Sequence, residues 1–326
     1  MLLLSREDVQ SVLTMKDAIR AVEEAFRQFA LGNVRMPVRS SVTIQQHKGL
    51  MLTMPAYVGG VEALGQKIVT VYPENLSKHN LPTILATVQL LDPETGECLA
   101  VLEGTYLTAM RTGAASAIAT KYLARRDSSH IAVFGAGVQA ETQLEAISEV
   151  RRIELAKVYD PVGQRVTEYC QRMSKRIGIE VKCAQNAQEA LRDSDIVICA
   201  STSRTPVFNG EWLEPGMHIN GIGSHTSDTR ELDTVTIQRS KVVVDSRESA
   251  LAEAGDLLLP IAENAISSEH IWAELGDIII GKREGRTSDQ EITLFKSVGI
   301  AIQDVSAALA VYREAMQQGR GTVLKI

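Results

Sequence analysis

Residues 131–139 read IAVFGAGVQ, a short apolar run that stops at a glycine turn and leads into the periodic segment AETQLEAI. The pattern predicts a strand, a tight turn and the start of a helix. Glycine at 135 allows the sharp turn, and glycine at 137 leaves room for a phosphate to approach the amides at the helix N-terminus. The stretch therefore predicts a dinucleotide-binding turn formed by Gly135, Gly137, Val138 and Gln139.

The next apolar run, LAKVYD, ends in an acidic residue, Asp160. It lies at about the twenty-residue spacing expected of a carboxylate that binds a ribose 2′-hydroxyl, and Ala140 completes a GxGxxA pattern. Glycine turns also occur where nothing binds, but this strand, helix and carboxylate are the context that a nucleotide requires. We expect NAD as the cofactor, with NADP as the alternative because Arg165 lies near Asp160.

The hydrophobic pattern divides the chain into two parts. After residue 126, apolar runs at 131–135, 155–160, 180–184, 196–200, 217–222 and 241–245 alternate with helical segments, which predicts a parallel, doubly wound Rossmann sheet. Before it we expect two N-terminal helices, a mostly antiparallel sheet over 39–102 and a long helix over 105–125. The fold class is therefore α/β, with a Rossmann domain of residues 126–299 and an α+β domain of residues 1–125 with 300–326.

Composition limits the kinds of partner. The 326 residues are 44% hydrophobic and carry a formal charge of −6 with no dense block of lysine or arginine, which argues against nucleic acid and anionic membranes as partners. No apolar run is long enough to span a bilayer, and the start MLLLSRED is too short for a signal peptide, so we expect a cytoplasmic protein that binds small molecules. The four cysteines and six histidines show no metal-binding spacing, and we expect no metal.

Basic residues stand in unusual surroundings at three places. Lys67 lies in the apolar run LGQKIVTVYP, Arg111 lies in a helix of small residues, and Arg39 follows MPV. Buried cations are costly unless an anion meets them. Each has an ordinary alternative: a lysine that snorkels at a sheet edge, an interdomain salt bridge and a solvated charge. Together they predict a site for a substrate carboxylate, which we expect in the cleft between the domains against the nicotinamide.

A polar loop, IGSHTSDTREL, follows the apolar run at 217–222. Open parallel sheets bind ligands at the edge where such loops lie. Asp228 is the candidate for a second proton-handling group beside Lys67, although it is also placed to cap a following helix, DTRELDTV. His225 is an alternative acid or base, or an ordinary solvated histidine.

These segments together resemble the ornithine cyclodeaminase and mu-crystallin family, which includes an archaeal type of alanine dehydrogenase and several cyclic-imine reductases. The likeness spans nearly the whole chain and rests, in order, on GQKIV, LPT, MRTGAAS, FGAGVQA, IGSHTSDTREL, ELGDI and FKSVG. The resemblance implies a Rossmann domain, a substrate-binding and dimerisation domain built from both chain ends, and a homodimer. It places Arg39, Lys67 and Arg111 at the positions that hold the substrate carboxylate. It also implies a set of cofactor-lining positions: Thr83, Arg111, Thr112, Gly135, Gly137, Val138, Gln139, Asp160, Thr202, Ile222, Ser224 and Val298.

We therefore expect an NAD(P)-dependent oxidoreductase that transfers hydride to or from the C–N bond of a small amino acid or cyclic imino acid, through an imine. The nearest alternative is an ornithine cyclodeaminase, which releases ammonia and proline. In members similar to the type enzyme a catalytic aspartate lies in a segment like GGDCPGKTEL, and here His225 occupies that position. A non-catalytic binding protein like mu-crystallin is an alternative of another class, against which the three cations argue.

Overall fold

The computed structural model describes residues 1–325, which form two eight-stranded sheets and their helices. The strands are β1 (Leu2–Leu4), β2 (Val34–Arg35), β3 (Ser40–Ile44), β4 (Gly49–Val58), β5 (Ala63–Val71), β6 (Ile84–Leu91), β7 (Cys98–Glu103), β8 (His130–Phe134), β9 (Leu155–Tyr159), β10 (Glu180–Cys183), β11 (Ile196–Cys199), β12 (His218–Gly221), β13 (Ser240–Val244), β14 (Ile271–Glu274), β15 (Ile292–Lys296) and β16 (Thr322–Val323). The α-helices are α1 (Arg6–Val12), α2 (Met15–Ala30), α3 (Asn75–His79), α4 (Gly104–Leu123), α5 (Val138–Ser148), α6 (Gly163–Ile177), α7 (Ala187–Leu191), α8 (Thr234–Arg239), α9 (Arg247–Glu253), α10 (Gly255–Ala262), α11 (Leu275–Ile279) and α12 (Ala301–Gln318).

The chain forms two compact units. Unit 1 contains residues 1–111 and the C-terminal residues from 300 onward, and unit 2 contains residues 112–299. The boundary falls inside α4, whereas the sequence places it after residue 125. The start of this helix packs within unit 1, where a Cβ at Gly104 would lie 2.8 Å from the Ala86 carbonyl carbon, and its middle packs within unit 2, where a Cβ at Gly113 would lie 2.5 Å from the Thr142 carbonyl oxygen.

Unit 1 is built on a mostly antiparallel sheet, as the pattern over 39–102 predicts. Its order is β16-β1-β7-β6-β5-β4-β2, with β3 paired to β4; β3 to β7 are antiparallel and β1 joins β7 in parallel. The final helix α12 packs on α2 and on strands β4, β5 and β6. Its apolar surface is thereby covered, which explains why nine successive residues, Ala301–Leu309, are buried.

The helix ends of unit 1 are set by local capping residues. Ser5 and Asp8 form a capping box at the start of α1, and the Thr14 side chain accepts a hydrogen bond from the Asp17 amide at the start of α2. At the other end of the chain, α12 stops at Gly319, whose φ of 63° is the left-handed conformation that glycine adopts without strain.

Unit 2 confirms the predicted Rossmann-type architecture. All its strand pairs are parallel, in the order β10-β9-β8-β11-β12-β15-β13-β14. Successive residues of β8 point to opposite core clusters, since Ile131 and Val133 lie in one cluster and Ala132 and Phe134 in the other. The sheet is therefore buried on both faces. The sequence missed β14 and β15, although β15 is entirely buried.

One local prediction is wrong. Asp228 does not cap a helix: α8 begins at Thr234, and its N-cap is Asp233, whose side chain accepts a hydrogen bond from the Thr236 amide at 2.7 Å. Asp228 lies instead in an exposed turn in which the Thr229 amide donates to the Thr226 carbonyl. In residues 1–325 no helix is both long and apolar enough to cross a membrane.

Candidate active site

The glycine turn predicted from the sequence lies between β8 and α5 in unit 2. Gly135 has a φ of 103°, and a Cβ there would lie 2.5 Å from the Ala200 carbonyl oxygen, so both its conformation and its packing require glycine. Gly137 caps α5, and a Cβ built on it meets no atom within 4 Å. The helix N-terminus therefore opens onto free space, as a phosphate site requires, and exposed Val138 borders that space.

Asp160 follows β9 and reaches back to this turn. Its Oδ2 accepts a hydrogen bond from the Ala136 amide at 3.3 Å, and its Oδ1 accepts one from the Val162 amide at 2.9 Å. The carboxylate remains partly exposed beside the turn, which suits a ribose hydroxyl. Arg165 lies exposed on the first turn of α6.

Three further cofactor candidates lie at the ends of neighbouring strands. Thr202 follows β11, the Ile222–Ser224 segment follows β12, and Val298 follows β15. Because β8, β11, β12 and β15 are adjacent and parallel, these residues and the glycine turn lie along one edge of the sheet. This is the edge at which open parallel sheets bind nucleotides. Thr83 belongs to unit 1 and comes just before β6, and Thr112 follows Arg111 on α4.

Two buried carboxylates, Asp245 and Glu231, order the loops that follow β11, β12 and β15. The Asp245 Oδ2 accepts hydrogen bonds from the Val298 amide at 3.0 Å, the Gly299 amide at 2.8 Å and the Ser297 hydroxyl at 2.7 Å. The loops after β11 and β12 are held by Glu231, which binds Ser201 and Gly223. Neither carboxylate was a candidate from the sequence.

Unit 1 contains a buried charge cluster, defined as Lys67, Arg111 and Asp304. Lys67 lies on the inner face of β5 and is 1% exposed, and its Nζ lies 2.8 Å from both carboxylate oxygens of Asp304. The Arg111 Nε donates to the Asp304 Oδ1 at 2.9 Å, and its Nη1 donates to the Gln303 Oε1 at 2.5 Å. Two of the three predicted cations therefore meet at one carboxylate, in a place that water hardly reaches.

The charge cluster changes the acidity of its lysine. Burial, the positive charge of Arg111 and, more weakly, that of Arg39 together lower the pKa of Lys67 to about 7, although Asp304 acts in the opposite direction. Arg39 is itself half-buried just before β3 and is close enough to act on Lys67. The charge of Arg39, the third predicted cation, therefore influences the pKa of Lys67 together with that of Arg111.

Asp304 was missed by the sequence reasoning although a signal was present. It is the single charged residue in IAIQDVSAALAV, residues 300–311. A helix segment that is apolar on all sides is buried, and a lone carboxylate within it needs a cationic partner. That argument would have pointed to Lys67 and Arg111, the two cations already noted in apolar surroundings.

The polar loop after β12 is more exposed to solvent than the buried charge cluster. The Asp228 side chain is 65% exposed, and its Oδ2 lies 2.5 Å from the Nη2 of Arg204. A hydrogen bond from Thr226 and the charge of Arg204 lower the pKa of Asp228, so it stays ionised near neutral pH. His225 is half-buried, with its Nδ1 3.1 Å from the Gly223 carbonyl oxygen. Proton transfer by Asp228 stays a prediction. An ionised carboxylate has no proton to donate, so the lowered pKa does not favour a role for Asp228 as an acid.

No group of three or more histidine, cysteine, aspartate or glutamate side chains is placed to hold a metal ion within residues 1–325. The groups that stand out in the described residues are the buried charge cluster of Lys67, Arg111 and Asp304 in unit 1 and the glycine turn with Asp160 in unit 2.

Comparison with known proteins identifies the family. A family model described as "Ornithine cyclodeaminase/mu-crystallin family" matches residues 1–319. The chain belongs to this family. The resemblance noted from the sequence motifs is thereby confirmed, together with the Rossmann-type fold and the expectation of an oxidoreductase.

Several relatives match along their whole length. A solved structure of a Thermococcus litoralis Δ1-pyrroline-2-carboxylate reductase, in complex with NADH and L-proline, is 48% identical with a TM-score of 0.97 and covers 99% of this chain and 100% of that one. An alanine dehydrogenase of Archaeoglobus fulgidus is 41% identical over 99% of this chain and 98% of its own. A Δ1-pyrroline-2-carboxylate reductase of Bacillus cereus is 40% identical over 98% of both chains.

The position of Asp160 leads to a prediction about the nucleotide. Replacing Asp160 with alanine should weaken NAD binding by about tenfold, because one charge-assisted hydrogen bond to the ribose is lost, and NADP binding by less. Titrations of the protein with NAD and NADP measure both losses, with Asp289→Ala as an exposed control. Equal losses for the two nucleotides would mean that Asp160 only holds the turn through the Ala136 and Val162 amides.

Proposed function

We propose that this protein reduces the C=N bond of a small cyclic imino acid with NADH and, in reverse, oxidises the corresponding amino acid. The observation that carries the proposal is the buried charge cluster, in which Lys67 and Arg111 share Asp304. The named relatives support it, because they include Δ1-pyrroline-2-carboxylate reductases and an alanine dehydrogenase. Δ1-pyrroline-2-carboxylate is the first substrate to test.

The cofactor is NAD. Solved relatives at 48% and 41% identity contain NADH or NAD. The residues of this chain fit such a group, since Gly137 leaves open space at the start of α5 and Asp160 presents a carboxylate beside the turn. When bound, NADH supplies the hydride that the carbon of the C=N bond accepts.

The charge cluster suits the carboxylate of an imino acid. The charges of Arg111 and Arg39 both act on Lys67, and Asp304 contacts Lys67 and Arg111. Cations gathered in this way attract an anionic substrate. Asp304 and Gln303 fix the ammonium and guanidinium groups before substrate arrives, which lowers the entropic cost of orienting it.

Lys67 is the candidate for the proton-handling group. Its pKa of about 7 means that the ammonium and amine forms are both populated near neutral pH. An ammonium Nζ at this position can give a proton to the imine nitrogen as the carbon is reduced, and the amine can take one back in the oxidation. A lysine with an ordinary pKa would be a far weaker acid for this step.

We also propose that the protein is a homodimer. The outer face of β3, β4, β5 and β6 presents only uncharged side chains: Ser40, Val42, Met51, Thr53, Pro55, Tyr57, Gln66, Ile68, Thr70, Leu85, Thr87 and Gln89. Val42, Ile68 and Leu85 are exposed on it. Exposed apolar sheet faces usually mark an interface, and a solved archaeal alanine dehydrogenase relative is described as a dimer.

A substrate assay tests the proposed function directly. We expect loss of NADH absorbance with Δ1-pyrroline-2-carboxylate and formation of NADH with L-proline or L-alanine in alkaline buffer. Incubation of L-ornithine with catalytic NAD is the opposing arm. Release of ammonia and proline from ornithine, without net change in NADH and without imine reduction, would contradict the proposal and indicate a cyclodeaminase.

The pKa of Lys67 leads to a prediction about pH. In the reductive direction Lys67 must carry its proton, so kcat/KM should fall as the pH rises above about 7. Lys67→Met should remove this dependence and lower turnover by at least about a hundredfold, the usual scale for a proton-transfer group, with NADH binding near normal. Unchanged turnover would remove Lys67 from the mechanism.

The Asp304→Asn variant distinguishes titration of Lys67 from titration of the imine substrate, since either could cause the fall in kcat/KM. Asp304 raises the pKa of Lys67, so its loss should move the fall in kcat/KM to lower pH, whereas a fall caused by the imine itself would stay in place. If the profile of this variant matches the wild type, the titrating group is not Lys67.

Val42→Asp tests the dimer. A charge on the uncharged sheet face should convert the dimer to a monomer, because it would be buried unpaired in the interface. Leu31→Asp is the matched control, since both side chains are 54% exposed and Leu31 lies after α2, off this face. Light scattering after gel filtration gives the masses. A wild-type monomer, or a Val42→Asp variant that remains dimeric, would rule out this face as the interface.

A further inference from the structure

Glu231 is a buried carboxylate in unit 2 that contacts two loops at once. It has no exposed surface, although it lies in the segment between β12 and α8. Its Oε1 accepts hydrogen bonds from the Ser201 amide at 2.7 Å and the Ser201 hydroxyl at 2.6 Å. Its Oε2 accepts one from the Gly223 amide at 2.6 Å. One side chain therefore joins the loop after β11 to the loop after β12.

The two loops are those that carry candidate cofactor contacts. Thr202 directly follows Ser201, and Ile222 and Ser224 flank Gly223. Because β11 and β12 are adjacent strands, the carboxylate fixes the spacing of two loops along the nucleotide edge of the sheet. Movement of either loop would break at least one short, charge-assisted hydrogen bond.

The local sequence is adapted to this contact. A Cβ at Gly223 would lie 2.3 Å from the Glu231 Oε2 and 2.3 Å from the Ser201 carbonyl oxygen. Any other residue at 223 would push the carboxylate or the loop aside. The close approach of carboxylate and backbone is therefore built into the chain.

Glu231 is in turn held by a second buried carboxylate. The Asp256 Oδ1 accepts hydrogen bonds from the Glu231 amide at 2.7 Å and the Leu232 amide at 3.0 Å. The Asp256 Oδ2 lies 2.7 Å from the Lys296 Nζ, which donates to the Ser224 carbonyl at 2.6 Å. Lys296 therefore links Asp256 to the loop after β12. The network contains two carboxylates, those of Glu231 and Asp256, and one ammonium group, that of Lys296.

We propose that Glu231 is a positioning residue for the cofactor: without contacting it, Glu231 holds the loops after β11 and β12 in the conformation that receives the nucleotide. The inference rests on the proposed function, which includes a nicotinamide cofactor. It adds that Glu231 orders the loops that bind this cofactor. A purely structural carboxylate would affect folding alone. A positioning carboxylate also sets nucleotide affinity in the folded protein.

The ionisation of Glu231 provides an independent readout. Burial and the charge of Asp256 raise its pKa to about 7, while hydrogen bonds from Ser201 and the charge of Lys296 oppose the rise. The titratable groups that face it are Asp256 on α10, Lys296 on β15 and Cys199 on β11. A protonated Glu231 loses an acceptor for the loop amides, so the loops should loosen as the pH falls through about 7.

Glu231→Gln is the decisive variant, because glutamine has the same shape but cannot accept hydrogen bonds at its nitrogen. At about pH 8 it should bind NADH about tenfold more weakly than the wild type, the size expected for one lost charge-assisted hydrogen bond. Its melting temperature should not fall, since a buried negative charge beside Asp256 is removed. Wild-type affinity should decrease towards that of the variant as the pH falls below about 7, while the affinity of the variant stays constant. Glu211→Gln, an exposed glutamate in the same unit, is the control.

The outcomes separate the two proposals. Equal NADH affinity of wild type and Glu231→Gln at alkaline pH, or the same pH dependence in both, would overturn the positioning role. If Glu231→Gln does not fold, Ser201→Ala replaces it: removal of the hydroxyl donor should weaken NADH binding about threefold at unchanged melting temperature, and no change in affinity would overturn the role. A wild type that binds NADH but reduces no imine contradicts the proposed function alone, because binding is measured without substrate.

Discussion

Asp304 holds together two cations that lie far apart in the sequence, and the architecture of unit 1 depends on this contact. Lys67 and Arg111 are 237 and 193 residues away from it. Removing a charge from water costs several kcal/mol, which only well-formed pairs and hydrogen bonds offset. The last long helix must therefore close on the N-terminal sheet for either cation to be buried. Unit 2 is consequently an insertion between Arg111 and Ile300 rather than a separate end of the chain.

Unit 2 orders its loops by the same physical means. A parallel strand that ends at the sheet edge leaves backbone amides without partners, and such groups are costly where water is excluded. Asp245 and Glu231 accept hydrogen bonds from such amides at 2.6 to 3.0 Å, and Asp256 accepts hydrogen bonds from the Glu231 and Leu232 amides just before α8. A carboxylate with two oxygens can serve amides of two segments at once. Loops that would otherwise move are thereby fixed at the edge where a nucleotide is expected.

The parts that sequence predicted are those set by short-range patterns. The glycine turn and the alternating strands each depend on residues within a few positions of one another. Lys67 and Arg111 were noticed because their neighbours are apolar. Their partner Asp304 has a sequence signal, as the single charge in an apolar helix segment, but the contact geometry depends on how α12 is rotated over the sheet, which periodicity does not fix. The sequence offered Asp228 as a possible helix cap, whereas the cap is Asp233, and the chain just before α8 is held by long-range bonds to Asp256.

Under the proposed function, the charge cluster accounts for the class of reaction more than for the substrate. A carboxylate and a neighbouring nitrogen are common to alanine, proline and their imines, so cations that recognise these groups do not distinguish the side chains. Relatives named pyrroline-2-carboxylate reductase and alanine dehydrogenase are accordingly 40% and 41% identical to this chain. Selection must come from apolar walls, where one methylene changes binding by about 1–3 kcal/mol. Graded activity on several related imino acids is therefore more consistent with this architecture than strict specificity for one.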